Sequence, residues 1–190
     1  MLTNNTANQV SVGKPKISGA IYSAPLGTTL PTNATAALNA AFTALGYVSQ
    51  DGLVHSNSMT RENFRAWGGD IVDSELSEKT DTFKFTLIES LNADVLKFVH
   101  GDGNVTGSLA SGLAVKGNGI DPGEKCIVVE MVLRGGGAKR IVLPRAILSE
   151  LGDVTYRDNE IIGYACSMLG AADDDGNTYY EYIVRPAAST

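Results

Sequence analysis

Residues 82–88 alternate strictly, with Phe83, Phe85 and Leu87 on one side and Lys84 and Thr86 on the other. That period of two predicts a half-buried strand. Residues 126–134 do the same, with Ile127, Val129, Met131 and Leu133 sharing one face. Gly135, Gly136 and Gly137 then turn the chain into the apolar run 138–143, which predicts a hairpin. Residues 161–169 and 178–184 predict a second pair of strands around the acidic turn Asp173-Asp174-Asp175-Gly176-Asn177. Shorter strand-like stretches lie at 47–49, 53–54, 64–67 and 71–72, the last two flanking Gly68-Gly69. Between them, residues 55–63 show no apolar alternation apart from Met59 and predict a long exposed loop.

A helical period occurs twice. Leu38, Ala41, Phe42 and Leu45 recur at i, i+3, i+4 and i+7, after an N-cap signal at Pro31-Thr32-Asn33 and before a stop at Gly46. This predicts a substantial helix over 34–45 whose outer face carries Thr35, Asn39 and Thr43 and no charge. A shorter helix is predicted over 93–99, capped by Asn92 and ended by Gly101. The sum is a mainly β, mostly antiparallel fold with flanking helix.

The chain has 190 residues, enough for one well-packed domain or two small ones. We expect a flexible N-terminal arm over 1–12, which is polar and uncharged, and one domain over 13–190. The opening residues lack a basic stretch followed by an apolar core, so no secretory signal is expected. No apolar run approaches the ~18 residues of a membrane helix, and no membrane partner is expected. Cys126 and Cys166 both sit in apolar runs and are expected to be buried free thiols. The net charge of −6 argues against gripping a phosphate backbone.

The residue patterns of the common catalytic devices are missing from the sequence. The only histidines are His55 and His100, and no Gly-x-Ser-x-Gly elbow accompanies either. The two cysteines and two histidines lack the close pairing of a zinc site. In the acidic turn, Gly176 falls fourth from Asp173, not sixth as a calcium loop requires. The glycine runs at 101–107 and 117–123 lack the spacing and the following helix of a dinucleotide loop. No enzyme activity, cofactor or metal is therefore expected. Arg134, Lys139 and Arg140 form the basic cluster of the chain, read either as an exposed turn or as half of an intermolecular ion pair.

Several ordered segments carry a family resemblance. They are Val12-Gly13-Lys14-Pro15-Lys16 with Gly19-Ala20-Ile21-Tyr22-Ser23, then Leu45-Gly46-Tyr47-Val48-Ser49 with Asp51-Gly52-Leu53. Ala66-Trp67-Gly68-Gly69-Asp70, the run Thr82 to Glu89, Asp175-Gly176-Asn177 and Tyr180-Glu181-Tyr182-Ile183 follow in order. Together they resemble the major tail tube proteins of long-tailed phages with non-contractile tails. The resemblance implies an antiparallel β-sandwich or barrel with a flanking helix, located in the virion tail and assembled in the host cytoplasm. It implies homohexameric rings stacked into a tube, with the tape-measure protein, tail terminator and baseplate or tip proteins as partners. DNA would pass through without specific binding. On this reading His55, Ser56, Asn57, Ser58, Met59, Thr60 and Arg61 are candidates for ring-to-ring contact. Arg134, Lys139 and Arg140 are candidates for a ring interface, and Glu130 and Glu181 for acids facing the lumen. Glu130 shares its face with Cys126, Val128 and Val132, too apolar for open solvent, so that face is either a protein–protein surface or a channel wall. Two rivals stand beside this reading: the tube of a contractile tail or type VI secretion system, and a β-sandwich recognition module.

Overall fold

A computed structural model of the chain describes residues 9–16 and 19–185. Eleven strands are formed among them: β1 (Gly13–Pro15), β2 (Ile21–Pro25), β3 (Thr43–Ala44), β4 (Val48–Arg65), β5 (Ile71–Leu87), β6 (Val105–Ser108), β7 (Gly112–Val115), β8 (Lys125–Leu133), β9 (Ala138–Leu151), β10 (Tyr164–Ala171) and β11 (Tyr180–Val184). One α-helix, α1 (Ala93–His100), joins them. The main sheet runs β3-β2-β8-β9-β10-β5-β4, and β6 and β7 make a separate small hairpin. Every recorded pairing is antiparallel.

The hairpin β8–β9 is the spine, and its two ends have different neighbours. At one end β2 lies beside β8 and β10 beside β9. At the other, β1 pairs with residues 131–133 and β11 with residues 138–142, which gives a local four-stranded order β1-β8-β9-β11. The predicted hairpin of the last two strands therefore does not form. β10 and β11 each pair with a different part of β9, because β9 is long enough to take them one after the other.

The core gathers the alternating positions the sequence marks. Phe83, Phe85, Leu87, Ile127, Val129, Ile141, Leu143 and Met168 are all buried in one cluster. α1 adds Val95, Leu96, Phe98 and Val99 to it. An eight-residue helix is marginal alone, so this burial, worth about 1.5–3 kcal/mol per large side chain, holds it in place. Its ends are set as predicted. The Asn92 side chain accepts from the Asp94 amide at 2.9 Å, and Gly101, at φ 92°, donates back to the Lys97 carbonyl at 2.8 Å.

The helix expected over 34–45 is absent. Asn33 does make the contacts of an N-cap, its Oδ1 accepting from the amides of Thr35 (2.9 Å) and Ala36 (2.6 Å), but bends follow it. The Arg140 guanidinium then takes the carbonyls of Asn33 (2.6 Å) and Ala36 (2.9 Å), which the next turn of a helix would need. The segment continues as bends, and only Thr43–Ala44 becomes regular, as β3. Gly46 is not a helix stop. It turns the chain at φ 69° where a Cβ would overlap the Glu89 carboxylate, which accepts from the Tyr47 amide at 2.9 Å.

The loop expected over 55–63 is also replaced. Those residues form the middle of β4, paired with β5 through to Arg65↔Ile71. Their lack of apolar alternation has a simple cause: both faces of this hairpin are exposed from Ser56 to Lys79, so neither face has a core to match. Beyond the pairing of Ser56 with Thr82, about ten residues per strand project from the body, a reach of about 30 Å.

Candidate functional site

The projecting hairpin is clamped at its base by Asp81, a fully buried carboxylate. It accepts from Thr178 Oγ1 at 2.7 Å and Asn57 Nδ2 at 2.7 Å, and lies 2.9 Å from His55 Nε2. Lys79 Nζ stands at 3.5 Å. Burial would raise the Asp81 carboxyl, but the bonds from Thr178, His55 and Asn57 and the charge of Lys79 outweigh it and hold it below the ordinary range. The His55 ring stacks on Phe83 at 4.2 Å and meets the edge of Tyr179. One carboxylate thus ties both strands of the hairpin to the turn before β11.

A second buried polar group lies on the face of β8 opposite the core. Glu130 bonds Arg140 and accepts from Lys16 Nζ at 2.8 Å, with both Glu130 and Arg140 nearly inaccessible to solvent. Burial pushes the Glu130 carboxyl up, and Lys16 and Arg140 more than reverse it. Val128, Val142 and Cys126 share this face and are fully buried. Their cover is the chain's own segment 27–36, which reaches Arg140 through Asn33 and Ala36 and Cys126 through Gly27 and Thr28. In this chain, then, the apolar character of the Glu130 face is satisfied from within except at Val132, which stays exposed.

The residues singled out from sequence fall in separate places. His55, Ser56, Asn57, Ser58, Met59, Thr60 and Arg61 run along β4, with His55 and Asn57 at the clamp and Met59 exposed. Arg140 is buried on Glu130, Lys139 pairs with Glu181 at 2.8 Å, and Arg134 stays exposed at the β8–β9 turn. Cys126 and Cys166 are buried and free, with burial pushing the Cys166 thiol up to about 12. Of the N-terminal arm, residues 1–8 lie outside the described residues, while Ser11 Oγ accepts from the Arg134 amide at 3.0 Å. The acidic turn serves itself: Asp173 accepts from the amides of Asp175 and Asn177 and from the Tyr180 hydroxyl at 2.6 Å. Among the described residues no cluster of His, Cys, Asp or Glu is arranged to hold a metal.

Sequence reasoning missed Asp81 and Thr178. Their meeting depends on a contact across 97 positions, and nothing local marks either one. It also missed the exposed apolar side chains of the hairpin, Phe64, Trp67, Ile71, Val72 and Leu76. These were legible, since with Met59 they are the large apolar residues of a stretch that otherwise reads as solvated.

A long unpartnered hairpin, exposed apolar groups at its far end and a sheet with open strand edges are the features of an assembly subunit. The family model for phage tail tube protein matches residues 4–188, and the chain belongs to that family. It is therefore a structural component of a phage tail. Among solved structures, the tube-terminating cap of the anti-feeding prophage, determined by cryo-EM, is similar at a TM-score of 0.43 and 9% identity, covering 94% of this chain and 98% of that one. A search of curated proteins finds no match.

Proposed function

We propose that this protein forms closed rings that stack into the hollow tube of the tail, through which DNA passes without being held. The observation that carries this is the local order β1-β8-β9-β11. Its outer strands, β1 and β11, pair with nothing on their far sides among the described residues. They run in opposite directions, because each step across the four strands reverses the chain. The β11 edge of one copy can therefore continue antiparallel into the β1 edge of the next. A head-to-tail contact of that kind, repeated with the right rotation, closes into a ring and covers both of these edges. β1 is only three residues long and includes Pro15, which has no amide hydrogen to donate. One such contact is weak, so free copies stay apart until several close together. The ring of six, the tape-measure protein inside it and the terminator and tip proteins at its ends follow from the family resemblance. Glu181, exposed on β11, and Glu130, buried against Arg140, would occupy this ring wall, with Glu181 the better placed to meet solvent in a channel.

Negative-stain microscopy of the concentrated protein tests the reading. Rings or tubes with a central channel are the expected result. A protein that remains monomeric at every concentration and salt condition overturns it.

A further inference from the structure

The projecting hairpin carries one face that is at odds with itself. Glu62 stands directly across from Glu75, and Phe64 directly across from Asp73. Directly opposed side chains share a face, so these four form one patch: an exposed aromatic ring with three carboxylates around it. None of the three has an ion-pair partner among the described residues. Opposed like charges destabilise a hairpin. The nearest bases in sequence are spent on backbone carbonyls, Arg61 on Ser74 at 3.5 Å and Arg65 on Gly69 at 2.7 Å, and neither forms an ion pair with the three carboxylates.

The same chain holds the counterpart. At the turn end of the four-stranded sheet, Lys14, Val132, Ala138 and Val184 lie in one row across β1, β8, β9 and β11. Val132 and Val184 are exposed there, at 42% and 40%. Lys14 borders them on one side, and Arg134 follows in the turn immediately beyond β8. Both bases are exposed, and neither has an ion-pair partner among the described residues. One patch is therefore apolar with an acidic rim, and the other apolar with a basic rim.

We infer that the acidic face of the hairpin, Glu62, Phe64, Asp73 and Glu75, docks on the basic end of a second copy of this chain, at Lys14, Val132, Arg134 and Val184. This deepens the tube reading and rests on it. The phenyl ring of Phe64 covers the two valines, and the three carboxylates meet the two bases at the edge. Docking also relieves the Glu62–Glu75 opposition, so the charge arrangement that weakens the free hairpin strengthens the assembled one. The basic turn has a role in this scheme as the receiving half of an intermolecular contact.

Two charge-reversed proteins test it: Glu62→Lys with Glu75→Lys, and Lys14→Glu with Arg134→Glu. Sedimentation and negative stain at 50 mM salt give the concentration at which assembly begins. Each reversed protein alone should need at least tenfold more protein than wild type. An equimolar mixture should assemble near the wild-type concentration, because every hairpin then finds an end of opposite sign on the other species. The neutral pair Glu62→Gln with Glu75→Gln guards against a folding defect. It should melt at or above the wild-type temperature while assembling less well. If both reversed proteins assemble like wild type, or the mixture gives no rescue, the docking is wrong and the tube reading stands. If wild type itself never assembles, both fall together.

Discussion

Replacing Asp81 with Asn keeps the side chain's size but removes an acceptor and turns a donor toward Thr178, Asn57 and His55. A loss of about 2–3 kcal/mol is expected, which for a chain of this length lowers Tm by roughly 5–10 °C. The pH dependence has a definite sign. The Asp81 carboxyl is held below its unfolded value, so its contribution is complete above that value, about 4. It fades as pH falls through the folded value. The Tm gap between wild type and D81N should be widest near pH 7 and close below about pH 4. A gap independent of pH would mean the charge at Asp81 does not matter. Arg140→Met makes a second test with two readouts. It strands Glu130 with only Lys16, at a cost of about 3 kcal/mol. It also frees the carbonyls of Asn33 and Ala36, so the segment over 34–45 should gain helix, seen as a deeper circular dichroism signal at 222 nm. The buried cysteines predict silence: with thiols raised by burial, Cys126 and Cys166 should resist Ellman's reagent at pH 8 until the protein unfolds.

At the level of elements, the projecting hairpin is separable from the fold. Joining Ser58 to Thr80 through Asn-Gly removes the residues between them, Lys79 included, and leaves the bonds of Asp81 to Thr178, His55 and Asn57 in place. The shortened protein should melt within a few degrees of wild type and fail to form tubes; normal tubes would show the hairpin to be dispensable. Trp67 is the one tryptophan of the chain and stands fully exposed at the hairpin apex. Its emission should be that of a solvated indole in the monomer and shift to the blue on assembly. How far the sequence announces each element follows from what stabilises it. The strand over 82–87 and the helix at 93–100 are legible because their own periodicity meets a core. The strand over 55–63 is not, because beyond the clamp at His55 and Asn57 it is held by pairing with β5 and faces water on both sides. The false helix over 34–45 had a sound local signal, and a guanidinium from 104 positions away overrode it. The tube family was legible from ordered motifs, whereas the opposed Glu62 and Glu75 became visible only once the register was known.

For the whole molecule, the antiparallel order β1-β8-β9-β11 and the hairpin that leaves the body on one side make every copy lopsided. Joined head to tail in a ring, such copies all face the same way, so the two faces of the ring differ. A stack of such rings would be an arrow. It has no two-fold axis across its length, and a filament that reversed direction midway would have to bring two like faces together. The polarity of the tail would thus be written in each subunit before any other component binds. One end of the tube could start growth while the other received new rings, and no single capping surface would fit both.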